Sequence, residues 1–325
     1  MSRAETKTAR MLLIEDLLLS HPQGLSQAEI ARKLGVNRST VTRYLPDLPS
    51  HIYIDDLDGG LWKIDRQAFL VNVHFNLNEA MAVHLAARLL ATRMDRINPH
   101  AASALCKLGL ALQSLAPQIC AHITKSAEMI LDANQKQDPV YLQALEKLTL
   151  AWAENRKVKV WHRSEKEQEI HEYDFSPYFI EPYAIGQSTY VFGRREPPGE
   201  IRTFKIERIE RVEILRETYY IPNDFDPQEI LSDAWGIWYT GDKPVEVKLR
   251  FHPRVAHRVG ETRWHRSEQV ELQKDGSLLW RALIAEPREM MPWVRGWGAD
   301  VEVLEPLWMR EEIIQEIRDL KEVYD

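Results

Sequence analysis

The chain has 325 residues, of which 44% are hydrophobic and 28% charged, and its net charge at pH 7 is −7. This length allows about two domains, with three smaller ones as an alternative. A negative net charge excludes a protein that coats nucleic acid with its whole surface, so any nucleic-acid contact must come from local basic patches. No apolar run reaches the ~18 residues that a membrane helix requires, and the N-terminal region lacks the apolar core of a signal peptide. We therefore expect a cytoplasmic protein without a membrane partner.

The sequence offers little for catalysis or metal binding. Its two cysteines, Cys106 and Cys120, lie in a helix-patterned apolar region without a His or Cys at ligand spacing, which favours burial over a redox pair or a metal site. It contains no glycine-rich phosphate loop, no His-Glu-x-x-His and no Gly-x-Ser-x-Gly. We predict no catalytic residue, no metal site and no cofactor.

The first two predicted helices lie in the first 35 residues. Residues 6–20 repeat apolar side chains at helical spacing and end at a Pro- and Gly-containing turn. Ser26 and Glu29 have the spacing of a capping box, and the helix that they begin ends at Gly35.

A third helix is predicted for residues 38–45, with Asn37 as its N-cap. The spacing of three residues is typical of a helix-turn-helix. Ala31 is the small residue that allows close helix packing, Gly35 allows the turn, and Val41 packs from the recognition helix into the core. The alternative is a three-helix interaction module with a solvated basic face.

The segment from residue 32 to residue 45 has four basic residues and no acidic one. Hydroxyl and guanidinium groups there suit phosphate oxygens and base edges. The predicted DNA-binding residues are Arg32, Lys33, Arg38, Ser39, Thr40, Thr42 and Arg43.

The pattern of residues 52–54 and 61–64 predicts two strands joined by a Gly-containing turn. Together with the three helices, these strands predict a winged helix-turn-helix. The turn contains Asp55, Asp56 and Asp58, so we expect the wing to pack rather than to grip phosphate.

The middle of the chain is predicted to be helical. Leu77, Met81, Leu85 and Leu89 recur every four residues and predict one apolar face. A second run, over residues 105–119, alternates gaps of three and four, which suits either packing within one subunit or a short coiled-coil seam between two. Another amphipathic helix is predicted for residues 140–154.

A β-rich region follows this helix. Strands are predicted for residues 157–161, 169–175, 178–185, 188–193, 201–206 and 209–216, with a break at Ser176-Pro177. Short strands at regular spacing after one helix predict a small antiparallel barrel of the SH3-like or Sm-like type.

The motifs of this region resemble the WYL domain of bacterial transcriptional regulators. The resemblance rests on Ser176-Pro177, on residues 190–193 (Tyr-Val-Phe-Gly) and on residues 202–209 (Arg-Thr-Phe-Lys-Ile-Glu-Arg-Ile). Thr189 and Val191 replace the Trp and the Leu of the tripeptide that names the family.

The resemblance implies a ligand surface associated with nucleic acids or nucleotides. Aromatic rings stack on bases at roughly 1–3 kcal/mol per base, and arginines form bidentate bonds to phosphate. Two alternatives stay open, because Phe204 also suits a core ring and Arg208 also suits an ion pair with Glu207 or Glu210. The predicted ligand-binding residues are Ser176, Tyr190, Arg194, Arg202, Phe204 and Arg208.

Beyond a turn-rich joint at residues 222–227, the pattern predicts strands and helices in the order βαββαβ. This order suggests a ferredoxin-like layer of helices on an antiparallel sheet. Residues 298–306 resemble the C-terminal extension that often follows WYL domains.

We thus predict an α+β multidomain protein. Its parts are a winged helix-turn-helix (residues 1–70), a helical linker or dimerisation region (71–138), a WYL ligand-sensing domain with its leading helix (139–221) and a C-terminal WYL extension (222–325). The favoured function is a homodimeric transcriptional repressor that binds a double-stranded operator and responds to a nucleic-acid or nucleotide effector. The alternative is a single-stranded nucleic-acid-binding accessory protein that modulates a CRISPR or phage-defence effector.

Overall fold

A computed structural model describes residues 3–56, 59–66, 68, 73–93, 96–132, 137–164, 169–183, 187–238 and 243–325. The chain divides into two compact units, Met1–Ile221 and Pro222–Asp325. Leu57 and Asp58 of the predicted wing turn, and the predicted strand end at Ile185, lie outside the described residues. No described helix is both long and apolar enough to cross a membrane.

The N-terminal unit begins with the three predicted helices, α1 (Arg3–Leu19), α2 (Gln27–Leu34) and α3 (Arg38–Thr42). The capping box is formed: the Ser26 hydroxyl accepts a hydrogen bond from the Glu29 N–H, and the Glu29 carboxylate accepts one from the Ser26 N–H at 2.8 Å. Gly35 ends α2 in the left-handed conformation, with φ of 64°. The helices bury Ile14, Leu18, Leu25, Ile30, Ala31, Val41, Ile52 and Ile64.

The third helix is shorter than predicted. It ends at Thr42 and continues as turns into a 3₁₀ helix, Leu45–Asp47. Pro46 explains this end, because a proline ring clashes with the carbonyl group four residues earlier, here that of Thr42. Asn37 occupies the N-cap position, but its side chain makes no capping bond.

A two-stranded antiparallel hairpin follows, with β1 (Ile52–Asp55) paired to β2 (Leu61–Ile64). Leu25 forms an additional bridge to Trp62, with N–H···O distances of 3.0 and 2.9 Å. The hairpin is thereby tied to the turn between α1 and α2.

The helical region consists of α4 (Leu77–Arg93), α5 (Pro99–Leu112) and α6 (Pro117–Ile130). The apolar run over residues 105–119 crosses from α5 into α6, so it is not the single coiled-coil seam that was one of the two predicted alternatives. Leu105 and Leu112 are buried in the core of this region. Among the α4 residues up to Leu89, Ala80 and His84 are buried, whereas Leu85 and Leu89 are 57% and 63% exposed.

A five-stranded antiparallel sheet forms the rest of the unit, in the order β6-β5-β4-β3-β7. The predicted break at Ser176-Pro177 is wrong: β4 runs through it and absorbs the irregularity as a register shift between Pro177 and Phe179. The strands are β3 (Arg156–Arg163), β4 (Ile170–Tyr183), β5 (Ser188–Glu196), β6 (Glu200–Lys205) and β7 (Ile209–Thr218).

The predicted closed barrel is not formed by the described strands. β6 and β7 lie at opposite edges of the sheet, and neither pairs with the other. A 3₁₀ helix, Ile206–Arg208, joins them.

Helix α7 (Pro139–Ala153) covers one face of this sheet. We call this the core face, and the opposite one the outer face. Tyr141, Ala144, Leu148 and Ala151 of α7 pack against the core face. The buried sheet residues are Val158, Val160, Phe175, Val191, Phe204, Ile206, Ile209 and Val212.

His162 lies at one end of this core. Its ring centroid is 5.0 Å from that of Phe204, and its buried Nε2 has no hydrogen-bond partner among the described residues. Burial, helped by the nearby charge of Arg208, lowers the pKa of His162 to about 4.

The second unit has the element order α8 (Pro227–Ile230), β8 (Val245–Phe251), α9 (Pro253–Gly260), β9 (Gln269–Leu272), β10 (Leu278–Ile284), α10 (Met291–Arg295), β11 (Val301–Glu305) and α11 (Leu307–Tyr324). Its four strands form an antiparallel sheet in the order β11-β8-β10-β9. The fully buried Trp280 lies in its core. The buried carboxylate of Glu289 accepts the N–H groups of Gly236, Ile237 and Trp238, which holds that segment against the core.

Replacing Gly193 by Ala should destabilise the N-terminal unit. A Cβ atom there would overlap the Ser176 carbonyl oxygen and lie 2.6 Å from Phe175 Cζ, so β4 and β5 would have to separate. We expect a loss of about 1–3 kcal/mol in the free energy of unfolding, measured by urea denaturation. Gly260→Ala is the control, since its Cβ would have only an ordinary contact, 3.7 Å from Leu278 Cδ1. Equal effects of the two substitutions would contradict this account.

The low pKa of His162 predicts a loss of stability in acid. Above pH 6.5 the His162 ring is neutral in both the folded and the unfolded state. Between pH 6.5 and about 4 only the unfolded state binds a proton at this ring, so the free energy of unfolding falls as the pH is lowered. Below pH 4 both states are protonated, and the loss levels off. The total is on the order of 3 kcal/mol. Urea denaturation across this range should show a shallower decline for His162→Phe than for the parent chain. The exposed His74→Phe control should follow the parent, and an unchanged slope in His162→Phe would contradict the assignment.

Candidate nucleic-acid interface and effector site

The predicted DNA-binding residues lie on the outside of α2, α3 and the turn after α3. Burial of Ala31 and Val41 fixes which side of the two helices faces the solvent. Thr40 is half-buried, and the exposed members of the set are Arg32, Lys33, Arg38, Ser39, Thr42 and Arg43.

The Glu29 carboxylate interacts electrostatically with Arg32 and Lys33 of this surface without forming an ion pair with them. Within the described part of the chain, none of Arg32, Lys33, Arg38 and Arg43 forms an ion pair. A locally positive surface therefore exists on a chain whose net charge is −7, as binding to the DNA backbone requires.

Gln27 is a residue of this surface that the sequence did not indicate. Its amide nitrogen donates to Thr42 Oγ1 at 2.5 Å, and its amide oxygen accepts from Arg38 Nε at 3.4 Å. The side chain thus links α2 to α3 and orients Arg38. A glutamine at the start of a helix carries no sequence signal for such a role.

The sheet register places the predicted ligand-binding residues on two different faces. Val191 and Phe204 are paired across β5 and β6 on the core face, and Gly193 and Arg202 form the next pair on that face. Tyr190 and Arg194 alternate with these residues and lie on the outer face. The set therefore does not form one continuous surface.

Phe204 is a core ring, as one of the two sequence interpretations had it. It is 7% exposed and contacts Tyr173 and Phe175 at centroid distances of 5.2 and 5.0 Å. In this arrangement the ring supports the end of the core face and offers no free face to a base.

Arg195 and Tyr173 complete the polar end of the core face beside His162, and the sequence analysis missed all three. The Arg195 guanidinium lies 5.3 Å from the centre of the Tyr173 ring, and its buried Nε has no hydrogen-bond partner in the described structure. An unsatisfied buried donor is costly, so it marks a place where a ligand acceptor would be favoured. The signal was available in Arg194-Arg195, because consecutive strand residues point to opposite faces.

Two predicted arginines have acidic neighbours. Arg202 donates to Glu200 at 2.7 Å, and Arg194 lies 3.6 Å from Glu196. Both guanidinium groups are about half exposed, so these pairs are weak and an anionic ligand can compete for them. Arg208, in the 3₁₀ helix, is half-buried and close enough to His162 to lower its pKa.

The remaining predicted residues belong to the outer face. Tyr190 is half-buried and packs edge-to-face on Tyr183 at 6.1 Å. Ser176 is paired with Arg194 in the register but is only 2% exposed. Its carbonyl oxygen is the atom that approaches Gly193.

Thr189, at the position of the family's Trp, joins two elements through polar bonds. Its hydroxyl lies 3.0 Å from Tyr141 Oη of α7, and its N–H donates to Glu207 at 2.8 Å. Burial raises the pKa of Glu207. These hydrogen bonds connect β5 to α7 and to the 3₁₀ helix Ile206–Arg208.

A polar seam joins the helix-turn-helix to the sheet. The Gln23 amide donates to the Glu154 carbonyl oxygen at 2.6 Å, at the end of α7. Around this bond is a cavity of about 200 Å³, whose lining includes the hairpin residues Asp55 and Lys63 and the sheet residue Arg216.

The described residues contain no group of three or more His, Cys, Asp or Glu side chains that could hold a metal ion.

Comparison with protein families finds three domain models along the chain. The IclR helix-turn-helix domain matches residues 8–54, the WYL domain residues 143–214 and the WCX domain residues 243–321. They follow each other in the order of the elements described above.

Among curated proteins, the HTH-type transcriptional regulator YobV of Bacillus subtilis (strain 168) is 25% identical over 152 residues. The match covers 45% of this chain and 46% of YobV, so the chain spans about half the length of this relative.

Two solved structures are similar in part. The proteasome accessory factor B/C (PafBC) of Arthrobacter aurescens matches with a TM-score of 0.32 and 20% identity, over 95% of this chain and 47% of PafBC. A CRISPR Cas-related protein matches with a TM-score of 0.39 and 10% identity, over 63% of this chain and 54% of that one. With matches to an IclR-type helix-turn-helix, a WYL and a WCX domain in succession, the chain is similar to WYL-domain transcriptional regulators over these residues.

Proposed function

We propose that this protein is a transcriptional repressor that binds double-stranded DNA through α2 and α3 and whose affinity for DNA changes when a nucleic acid or nucleotide binds its WYL domain. The observation that carries the proposal is the group of exposed cations on the helix-turn-helix that form no ion pair within the described residues. They lie on the two helices that this motif presents to the major groove.

We assign different roles to the cations of α2 and to those of α3 and the turn after it. Arg32 and Lys33, at the end of α2, suit contacts with phosphate, which set affinity and its salt dependence. Arg38, oriented by Gln27, and Arg43, beside Thr40, suit contacts with base edges, which set specificity.

A homodimer fits this function, since one short recognition helix reads too few base pairs for specific binding. We assign the contact to the helical region, residues 71–138. The outward Leu85 and Leu89 support this assignment, because exposed leucines one helical turn apart form an apolar surface that a partner would cover.

We place the effector at the polar end of the core face. Positive charge is supplied there by Arg195, Arg202 and Arg208. Within the described residues, Arg195 Nε and His162 Nε2 are buried without a hydrogen-bond partner, so a ligand can form hydrogen bonds with them. Tyr173, stacked between Arg195 and Phe204, gives the site an aromatic wall. Tyr190, Arg194 and Ser176 are the rival site on the outer face.

Effector binding has a direct route to the DNA-binding helices. The end of α7 accepts the Gln23 hydrogen bond, so a shift of α7 against the sheet would reach the turn between α1 and α2. A coupling of about 1–3 kcal/mol is enough for such control, provided that the effector prefers one of the two arrangements.

At the level of fold, we propose that α1–α3 with the β1–β2 hairpin form a winged helix-turn-helix and that the sheet is an open relative of the SH3-like or Sm-like barrels. We propose a ferredoxin-like fold for residues 222–325, supported by the strand order β11-β8-β10-β9. The proposed boundaries are 1–70, 71–138, 139–221 and 222–325. The protein would act in the cytoplasm without catalytic activity of its own.

Replacing Arg43 by Ala should weaken binding to the DNA upstream of the protein's own gene. Loss of a base contact costs about 1–3 kcal/mol and relaxes specificity, whereas loss of a phosphate contact lowers the salt dependence by about one charge. Fluorescence anisotropy over a series of salt concentrations separates the two cases. Arg318→Ala, which removes an exposed arginine from α11, is the charge-matched control and should bind as the parent does.

The parent chain itself tests the wider proposal. If it binds short single strands but no specific duplex, the function as a repressor is wrong. The accessory role in a CRISPR or phage-defence system would then be favoured.

Replacing Arg202 and Arg208 together by Ala should abolish the response to short single-stranded oligonucleotides without changing duplex affinity. The matched variant, Tyr190→Phe with Arg194→Ala, changes the opposite face and should keep the response. Anisotropy of a labelled oligonucleotide measures effector binding, and its effect on a labelled duplex measures coupling. The reverse result would move the effector site to the outer face, and loss of duplex binding in a folded double variant would contradict the sensing role.

A further inference from the structure

A second cavity of the N-terminal unit lies away from both the DNA-binding surface and the effector site. We call it the junction pocket. It has a volume of about 550 Å³ and lies between α7, the start of α5 and Arg66, which follows the hairpin strand β2. Sites for small molecules usually measure 300–1,000 Å³ and occur where structural parts meet.

One wall of the pocket is apolar. Leu145, Leu150 and Ala153 of α7 line it. Leu145 also packs against the sheet core, whereas Leu150 and Ala153 lie on a different side of the helix from Ala144, Leu148 and Ala151. Helix α7 therefore has a second apolar face, and this one borders a cavity instead of a core.

The opposite wall carries a single unpaired charge. Arg66 is half-buried, and its guanidinium donates to the Leu19 carbonyl oxygen at 2.5 Å. No ion pair to a carboxylate is found for it within the described residues. A half-buried guanidinium with remaining donors favours an anionic partner.

The other charged residues of the lining restrict the chemical class of this anion. His100 and Glu146 contact each other at 2.6 Å, which engages the Glu146 carboxylate and leaves Arg66 as a guanidinium without a carboxylate partner among the described residues. Because a polyphosphate carries several negative charges, the Glu146 carboxylate would repel it more strongly than a ligand with a single carboxylate. Apart from the His100 imidazole, the lining described contains no aromatic ring on which a base would stack.

We infer that the junction pocket binds a small amphipathic carboxylate, with its apolar body against Leu145, Leu150 and Ala153 and its carboxylate on Arg66. This site takes a different ligand class from the effector site and does not depend on the proposed function. Because the ligand would contact both α7 and the segment after the hairpin, it would hold together two parts of the N-terminal unit.

Octanoate is a suitable probe, used below its micelle concentration, with octanol as its uncharged counterpart. Binding to the full-length protein is followed by displacement of anilinonaphthalene sulfonate fluorescence and confirmed by calorimetry. We expect saturable binding of octanoate to the parent chain. No saturable binding of octanoate at millimolar concentration would overturn the inference.

Two variants locate the site. Thr149→Trp puts a large side chain into the pocket from an exposed position of α7 and should abolish octanoate binding. Val140→Trp is the matched control, because Val140 is 44% exposed on the same helix but does not line the pocket, and it should bind octanoate normally. Equal binding by Thr149→Trp and the parent would place the ligand elsewhere.

Arg66→Gln tests the charge separately and lies outside α7. It should weaken octanoate binding about tenfold, as expected for a lost charge-assisted hydrogen bond, and leave octanol binding unchanged. Equal losses for octanoate and octanol, or none for octanoate, would contradict the role of Arg66. These measurements use no DNA, so their failure is distinguishable from failure of the proposed function.

Discussion

The packing of α7 on the five-stranded sheet is the interaction on which the N-terminal unit depends. Leu148 and Ala151 of the helix are fully buried against strands β3 and β7. The Lys147 ammonium donates to the Val212 carbonyl at 2.9 Å, and Tyr141 bonds to Thr189. Because α7 covers only part of the core face, it determines which sheet residues are buried and which remain at an open polar end.

The same helix connects the functional parts of the unit. Its buried side packs on the sheet, its second apolar side lines the junction pocket, and the carbonyl oxygen of Glu154 at its end accepts a hydrogen bond from the Gln23 amide. A rigid element with three such contacts transmits small displacements, because close-packed interfaces do not deform smoothly. The coupling that we propose between the effector site and the DNA-binding helices therefore needs no long chain of intermediate residues.

Local charge, rather than net charge, governs the proposed chemistry. Among the described residues, Arg32, Lys33, Arg38 and Arg43 form no ion pair, whereas Arg202 and Arg194 lie near glutamates of their own hairpin. Half-exposed pairs of this kind contribute little to stability. These pairs restrain the arginine side chains only weakly, so an anionic ligand can displace the glutamates.

Much of the local structure follows from the sequence, because it depends on neighbours along the chain. The capping box of Ser26, the glycine end of α2 and the period-two pattern of β3 predicted their elements correctly. The failures have tertiary causes. β4 passes through Ser176-Pro177 because a bulge against β5 accommodates the proline, and the apolar run at residues 105–119 divides between two helices that pack on each other.

By itself, the sequence determined the succession of the domains and which cations are proposed to bind DNA, since helix caps, turn glycines and strand alternation are local properties. Only the tertiary structure decided how the ligand-binding candidates divide. The register between β5 and β6 places Arg202 and Phe204 on one face of the sheet and Tyr190 and Arg194 on the other. The packing of α7 then buries Phe204. Within the described residues, Arg195 and His162 each keep a buried nitrogen atom without a hydrogen-bond partner. Strand pairing and helix packing join residues far apart in the chain, so no local pattern could have specified them.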